Sequence, residues 1–213
     1  MSYLKKISTL HLDILKEIGN IGAGNAATAL STLLNKKIDM NVPSVRVISF
    51  NEMMELVGGP DNVVACVFLR IEGEAPSSMY FILSLEQAER FIHQMTGQVS
   101  FSYGLSSSSE FSASALQELG NILAGTYLSS LSDFTKLHLY SSVPAFFVEM
   151  AGAVLSAGML ELSKVSDYAI VIDTELKEGE LEDRDSINGH FFLLPDPASF
   201  EIIFNTLGIE FND

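Results

Sequence analysis

The sequence predicts an α+β fold: a single domain, residues 1–213, built from two duplicated α/β halves with pseudo-twofold symmetry. The first observation behind this prediction is that EIGNIGAGN, at residues 17–25, returns as ELGNILAGT at residues 118–126. The second is that the elements around the two copies follow each other in the same order. The third is the short joint near YGLSSSSE, which argues against two separate domains on a linker.

The repeat extends over most of the chain. A shift of 101 residues superposes the two glycine-rich stretches and also pairs Pro43 with Pro144. A shift of 111 residues then aligns the later strands and the closing helix. The repeat halves are therefore residues 7–97 and 108–208. The extra residues of the second half fall in the acidic, turn-rich stretch KEGELEDRDSINGH, which is predicted to be a long hairpin loop.

Each half is predicted to contain the same series of elements. It begins with a long helix, at residues 8–35 in the first half, in which Ile14, Ile18 and Ile21 recur at helical spacing. An extended segment around a proline follows (IDMNVPSVRVISF and LHLYSSVPAFFVEM), and then a short helix. Two strands come next, and a final helix closes the half. The long helices are predicted to pack on a mixed or antiparallel sheet.

Composition narrows the classes of function. The 27 acidic and 12 basic residues give a net charge of -15, which repels nucleic acid and anionic lipid surfaces. The single cysteine, Cys66, lies in a predicted buried strand and suits a reducing compartment. There is no signal-peptide pattern, and the longest charge-free apolar stretch, residues 151–160, is too short to span a bilayer. We therefore expect a cytoplasmic protein that neither binds nucleic acid nor inserts into a membrane.

The glycine-rich stretch resembles a phosphate-binding loop, but the pattern around it predicts a helix. GNIGAG reverses the order of the dinucleotide fingerprint, and no predicted strand leads into it. Inside a helix, Gly19, Gly22 and Gly24 together cost about 3 kcal/mol relative to alanine. A helix that keeps them is expected to let another chain segment or a partner come close to its backbone.

One polar stripe runs along each long helix. Its most informative members are a Glu and an Asn one turn apart, followed by a Gly one turn later. Asparagine is a poor residue for a helix interior, yet both copies keep this spacing while the residues around it differ. The pairs are therefore interpreted as functional, against the alternative that they form an ordinary solvated helix face. The stripes are Asp13, Glu17, Asn20, Gly24, Ala27 and Ser31, and Ser114, Glu118, Asn121, Gly125, Leu128 and Ser132.

Other chemistries have less support in the sequence. The four histidines are scattered, with no pair at metal-ligand spacing, so no metal site is predicted. Cys66 has no evident activating partner and is expected to be a small core residue. No G-x-S-x-G nucleophile elbow is present. Glu17 and Glu118 would suit a glycosidase if the helices faced each other, but the chain has no tryptophan to stack on a sugar.

At these residues the sequence resembles the CheC family of bacterial chemotaxis phosphatases, within the wider CheC/CheX/FliY group. The family motif is an Asp or Ser, three residues, Glu, two residues, Asn, twenty-two residues, and Pro. The likeness covers nearly the whole chain, and the motif is matched twice. The matches are Asp13, Glu17, Asn20 and Pro43, and Ser114, Glu118, Asn121 and Pro144.

The resemblance implies hydrolysis of the aspartyl phosphate on the response regulator CheY. In that activity Asn20 and Asn121 would position the attacking water, and Glu17 and Glu118 would pair with the regulator's active-site lysine. No cofactor of its own is expected, because phosphoryl transfer depends mainly on positioning and electrostatics, and the Mg²⁺ is expected on CheY. The alternative is a catalytically idle adaptor that binds CheY-P or sequesters CheD, with the same residues serving only as docking contacts.

Further partner contacts are expected beside the motif and at one other segment. Gly24 and Gly125 would leave clearance for the loops of CheY, and Asp13 and Ser114 begin each motif. CheC proteins also bind the receptor deamidase CheD, which stimulates the phosphatase. The segment VEMAGAVLSAGM, around Glu149, resembles the family's CheD-docking region. A helix of small residues at a surface is also a reasonable partner-docking face. The other interpretation of this segment is ordinary core packing.

Overall fold

The computed structural model describes residues 7–96, 107–162, 168–178 and 186–207. The acidic stretch predicted to be a hairpin loop lies largely outside these residues. Six helices and eight strands are present in the described ranges. In chain order they are α1 (Thr9–Leu34), β1 (Ile38–Asn41), β2 (Val45–Ser49), α2 (Phe50–Leu56), β3 (Val63–Gly73), β4 (Ser77–Ser84), α3 (Leu85–Thr96), α4 (Ser107–Thr135), β5 (Leu139–Ser141), β6 (Ala145–Met150), α5 (Ala151–Leu162), β7 (Tyr168–Glu178), β8 (Ile187–Pro195) and α6 (Pro197–Thr206).

The two long helices, α1 and α4, are followed by residues of the same backbone conformation. Helix α1 begins after Ser8, whose backbone N–H donates to Nδ1 of His11 at 2.9 Å. Asn35, the residue after its last turn, has a left-handed backbone with φ of 51°. Lys136, 101 residues later in the sequence, follows α4 with φ of 60°. The matching ends show that the duplication predicted from the sequence extends to the backbone conformation.

All eight strands form one antiparallel sheet, in which the halves exchange their edge strands. The order is β1-β7-β8-β4-β3-β5, with β2 also paired to β7 and β6 also paired to β3. Thus β1 and β2 of the first half pair with β7 of the second, and β5 and β6 of the second pair with β3 of the first. The predicted single domain of two α/β halves on an antiparallel sheet is confirmed, whereas the exact limits of the repeat halves stay a prediction.

Helices cover both faces of the sheet. Because successive strand residues point to opposite faces, each strand contributes to two cores. Val67 and Phe81 belong to the core under α1 and α4, and Cys66 and Tyr80 to the core under α2 and α5. Helices α3 and α6 pack on the same face as the long helices. Cys66 is fully buried, as predicted, and burial raises the pKa of its thiol.

The motif helices α1 and α4 pack on each other and touch at Gly22. A Cβ atom at Gly22 would lie 2.8 Å from Cδ1 and 3.0 Å from Cα of Tyr127. The Tyr127 ring in turn packs edge-on against Phe191, with 4.8 Å between ring centroids, and its hydroxyl lies 3.1 Å from Oγ1 of Thr174. This crossing ties the two helices to each other and to the sheet, and it leaves the Glu, the Asn and the following Gly of each motif at the surface. The predicted stripes do not face outward along their whole length, since Ala27 and Leu128 are buried.

The crossing predicts opposite effects for two glycines of α1. Gly22→Ala should lower the free energy of unfolding by about 1–2 kcal/mol, because the strain of overpacking exceeds the gain in helix propensity. Gly24→Ala should raise it by up to about 1 kcal/mol, because no atom lies within 4 Å of the added Cβ and only the propensity gain remains. Urea unfolding of the two variants measures both values. Equal shifts of the same sign would contradict the backbone contact at Gly22.

Candidate functional site

The first motif lies on the outward face of α1. Asp13 and Glu17 are exposed, Asn20 is half-buried, and Gly24 is exposed one turn further along. Residues three or four apart are neighbours on a helix, so Glu17 and Asn20 present a carboxylate and an amide side by side. The structure thus brings the predicted pair together at the surface, and the catalytic role of the pair stays a prediction.

The amide of Asn20 is held by the loop between β1 and β2. The backbone N–H of Val42 donates to Oδ1 of Asn20 at 2.9 Å. Val42 is itself fixed, since it is only 1% exposed and its side chain lies 3.3 Å from the Cβ position of Gly19. The bond orients the amide oxygen toward the loop. Because a carbonyl oxygen has two lone pairs, this oxygen can still accept a second hydrogen bond.

The same loop is anchored to Asp173 on β7, in the other half of the chain. The backbone N–H of Asp173 donates to the Ser44 carbonyl at 3.0 Å, and the Ser44 hydroxyl donates to the Asp173 carboxylate. Arg46 Nη2 donates to that carboxylate at 2.9 Å, and Nδ1 of His190 lies 2.8 Å from it. Burial raises the pKa of Asp173, but the hydrogen bonds of His190 and Ser44 and the charge of Arg46 outweigh it and lower the pKa to about 2.

The second motif lies in an open groove between α4 and the loop that joins β5 to β6. The groove has a volume of about 520 Å³ and is lined on one side by Ser114, Gln117, Glu118 and Asn121 and on the other by residues 141–144. Glu118 and Asn121 are both exposed. The structure therefore places all four residues of the second motif, Ser114, Glu118, Asn121 and Pro144, in one accessible concave site.

The loop opposite Asn121 has its own set of contacts. Gln117 Nε2 donates to the backbone carbonyl of Pro144 at 2.8 Å. Ser142 is paired with Arg70 on β3, in the first half: its N–H donates to the Arg70 carbonyl at 2.8 Å, and its hydroxyl accepts from the Arg70 N–H at 3.0 Å. Both motif prolines thus lie in extended segments that return beside the long helices, as predicted.

The two asparagines differ in how far the fold restrains them. Val143 corresponds to Val42 but is 85% exposed, against 1% for Val42. Within the described residues the Asn121 side chain makes no hydrogen bond, whereas Asn20 accepts one from the loop. The first amide is oriented before any partner arrives, and the second is free to turn in its groove.

The glycine that follows each motif faces open space. No atom lies within 4 Å of the Cβ position of Gly24 or of Gly125, and both residues are exposed. Gly120 differs, because its Cβ position is 2.5 Å from the Val67 side chain, where α4 lies on β3. Gly24 and Gly125 therefore have no role in internal packing. This agrees with the clearance expected for a partner but does not test it.

An apolar pocket of about 310 Å³ opens on the other face of the sheet, beside α5. Glu149 is exposed at the end of β6, and its carboxylate accepts from the backbone N–H of Met150 at 3.0 Å. On α5, Ala151 and Leu155 are buried, whereas Ala153 is exposed. The helix thus contributes one side to the core and another to the pocket. Core packing holds for the buried side, and the CheD-docking interpretation of this segment stays a prediction. The pocket is lined by Phe68, Tyr80, Phe147, Glu149, Ala153 and Val154.

Three residues that shape the two sites were not predicted: Ser44 and Asp173 at the first and Gln117 at the second. None of them is repeated, because the residue at the place of Ser44 in the second half is Ala145, and Gln117 corresponds to Lys16. A comparison of the halves detects only what they share. The one signal in the sequence was that Ser44 and Gln117 each adjoin a residue of the motif.

Other groups singled out in the sequence show no site. His11 is buried against Phe204, with 5.3 Å between ring centroids, and burial lowers its pKa. Within the described ranges, no three His, Cys, Asp or Glu side chains are grouped so that they could hold a metal ion. In those same ranges no helix is both long and apolar enough to cross a bilayer.

Comparison with known proteins decides the family. The model of the CheC-like family matches residues 10–47 and 111–148, which are the two motif regions. The chain is also 47% identical over 208 residues to the CheY-P phosphatase CheC of Bacillus subtilis (strain 168), an alignment that covers 98% of this chain and 99% of that protein. The chain belongs to the CheC-like family.

More distant relatives share the fold. The flagellar motor switch phosphatase FliY of Bacillus subtilis (strain 168) is 32% identical over 178 residues, which cover 83% of this chain but only 45% of FliY. The crystal structure of Thermotoga maritima FliY superposes with a TM-score of 0.70 at 19% identity, covering 95% of this chain and 98% of the other. At that identity the likeness shows that the α/β architecture is common to both proteins.

The lowered pKa of Asp173 predicts a pH-dependent contribution to stability. Its ordinary value is 3.8 and its folded value about 2, so the folded state favours the charged form by about 2 kcal/mol. This stabilisation is complete above pH 3.8 and is lost as the pH falls through about 2. Asp173→Asn should therefore unfold more easily than the parent at pH 5 by up to this amount, and the difference should disappear near pH 2. Urea unfolding between pH 5 and pH 2 measures it, and a difference that does not change with pH would contradict the assignment.

Proposed function

We propose that this chain is a phosphatase that hydrolyses the aspartyl phosphate of the chemotaxis response regulator CheY. One observation carries the proposal. The same arrangement, a carboxylate and an amide on an outward helix face beside an open glycine, occurs in both halves of a chain that is 47% identical to a CheY-P phosphatase. No serine or cysteine nucleophile is required, because the acceptor in this reaction is water.

The amide positions the attacking water. Protein groups contribute to phosphoryl transfer mainly by positioning and electrostatic stabilisation. The Asn20 oxygen, already oriented by the Val42 N–H, accepts a hydrogen of the water through its second lone pair, which leaves a lone pair of the water facing phosphorus. The Nδ2 group can donate toward the phosphoryl oxygens. Asn121 has the same role in the groove of the second half.

The glutamate fixes the orientation of the regulator. A carboxylate beside a phosphoryl group repels it unless a cation lies between the two, because like charges a few ångströms apart interact unfavourably. Within the described residues neither Glu17 nor Glu118 has an ion pair, so both can bind the active-site lysine of CheY. The Mg²⁺ needed to neutralise the phosphoryl oxygens is that of CheY, and no residue of this chain is assigned to it.

The surroundings of each motif are open enough for a globular partner. Gly24 and Gly125 expose bare helix backbone one turn beyond the amides, so a loop of CheY can lie against the helix there. Asp13 and Ser114, one turn before the glutamates, are also exposed and extend the contact surface. The regulator thus meets exposed polar residues of α1 at the first site and a groove beside α4 at the second.

Removal of both amides tests the mechanism. The Asn20→Ala, Asn121→Ala double variant should hydrolyse CheY-P on the order of 10²-fold more slowly than the parent, since the water is no longer held in line. Each single variant should keep part of the activity, because the other site remains. The rate of phosphate loss from purified CheY-P is the measurement. Asn25→Ala, an exposed asparagine of the same helix outside the motif, is the matched control and should leave the rate unchanged. A fully active double variant would refute the mechanism.

The pocket beside Glu149 is the proposed docking site for CheD, whose binding stimulates the phosphatase. The pocket has no apolar equivalent at the positions related to it by the pseudo-twofold symmetry. Phe146 faces Val67 as Val45 faces Ile172, so each pocket residue on the sheet has a symmetry-related counterpart. Where the pocket has Ala145 beside it and Phe147, Phe68 and Tyr80 in its lining, the related positions hold Ser44, Arg46, Asp173 and His190. One of the two regions is apolar and the other charged, so one CheD is expected per chain.

A charge reversal tests this docking site. Glu149→Lys should weaken binding of CheD at least tenfold, because it places a cation at the rim of the pocket where the partner must fit against a carboxylate. Glu201→Lys is the control: it makes the same charge change at an exposed position of α6, on the opposite face of the sheet, and should leave binding intact. Titration of each variant with purified CheD gives the affinities. Unchanged affinity of Glu149→Lys would exclude this site.

A further inference from the structure

Each proposed site lies beside a loop of its own half, and each of these loops is fastened to a strand of the other half. The β1–β2 loop touches Asn20 and is fastened by Ser44 to Asp173 on β7. The β5–β6 loop lies across from Asn121 and is fastened by Ser142 to Arg70 on β3. We propose that Ser44 and Ser142 are positioning residues, through which the opposite half holds the loop beside each catalytic amide: Ser44 orients Asn20 through Val42, and Ser142 fixes the groove wall that faces Asn121. The inference rests on the proposed phosphatase function.

At the first site the contacts form a short, unbroken series. The Asp173 N–H donates to the Ser44 carbonyl at 3.0 Å, and the Ser44 hydroxyl donates to the Asp173 carboxylate. Two residues earlier, the Val42 N–H donates to the Asn20 oxygen. Pro43 lies between them, and its ring fixes φ, so the loop has little freedom to turn between the two bonds. A displacement of Ser44 is therefore transmitted to the Asn20 amide.

The acceptor at the end of this series is itself firmly held. Asp173 has a side chain only 17% exposed, and it binds Arg46 at 2.9 Å and His190 at 2.8 Å in addition to Ser44. Three partners from strands β2 and β8 and from the loop leave the carboxylate a single orientation. A hydrogen bond to a charged carboxylate is stronger than a hydrogen bond between neutral groups. Ser44 is therefore the most tightly held residue of the loop.

The second site cannot repeat this anchor. The symmetry-related counterparts of Ser44 and Asp173 are Ala145 and Phe68, which lie at the apolar pocket proposed for CheD. The loop there is fastened three residues earlier instead, by the two hydrogen bonds between Ser142 and the backbone of Arg70. The two halves thus hold equivalent loops with different residues, so one loop can be loosened by mutation without the other.

This independence makes an internal control possible. In an Asn121→Ala background only the first site remains, and in an Asn20→Ala background only the second. Ser44→Ala should lower the rate of CheY-P hydrolysis about tenfold in the first background and less than twofold in the second. Ser142→Ala should show the reverse pattern. Ser44→Thr retains the hydroxyl and should restore most of the rate lost in Ser44→Ala.

The crossed design separates positioning from a general loss of stability, because destabilisation of the single domain would lower both backgrounds equally. Amide hydrogen exchange gives a readout independent of activity. The Val42 N–H, protected by Asn20, should exchange faster in Ser44→Ala, and not in Ser142→Ala. Equal effects of Ser44→Ala in the two backgrounds, or no effect in either together with unchanged Val42 exchange, would overturn the inference. A parent chain that does not accelerate phosphate release from CheY-P would refute the proposed function instead, and a fully active Asn20→Ala, Asn121→Ala variant would refute only its mechanism.

Discussion

The exchange of edge strands between the halves is the constraint on which the rest of the structure depends. Strands β1 and β2 leave their own half to pair with β7, and β5 and β6 leave theirs to pair with β3. If these four strands were unpaired, β3 and β7 would each expose the edge of a long apolar strand to water. The exchange also brings the loops before β2 and β6 beside the motif helices. Both candidate sites are therefore products of the whole domain.

On this symmetric frame the surroundings of the two motifs differ. The close contact of Gly22 with Tyr127 packs α1 on α4, so that each helix presents its Glu and Asn outward. Around that shared feature the surroundings differ: Asn20 is oriented by the buried Val42 of its loop, whereas Asn121 lies in an open groove. On the far face of the sheet, a charged cluster around Asp173 in one half stands where the other half has an apolar pocket. The two halves share the residues of the motif and differ in the residues that surround it.

The sequence was a good guide to whatever the halves share. The order of elements, the long helices and the surface position of Glu17 and Asn20 all follow from periodicity and from the repeated spacing. Strand exchange could not be predicted in this way, because the pattern of β1 is the same whether it pairs with β3 or with β7. The residues that hold the loops beside the motifs were not predicted for a related reason. Ser44, Asp173 and Gln117 are not repeated in the other half, and their roles arise from contacts between residues far apart in the chain.

The glycines show the same limit within a single stretch. Gly22 and Gly24 have the same cost in an isolated helix, and nothing in the sequence separates their roles. In the fold, a side chain at Gly22 would meet Tyr127, and one at Gly24 would meet open space. Packing against α4 explains why residue 22 is a glycine. No internal contact explains the glycine at position 24, and its position beside the Asn20 amide favours a contact with a partner.

The central claim is that this chain turns over CheY-P, and phosphate release under substoichiometric conditions tests it most directly. Purified CheY-P is mixed with the chain at a small fraction of its concentration, with CheD and without it, and free phosphate is followed against the decay of CheY-P alone. The account predicts faster release, with many regulators dephosphorylated per chain, and a further increase with CheD. A decay that is unchanged or slowed, as an adaptor that only binds CheY-P would give, would contradict it.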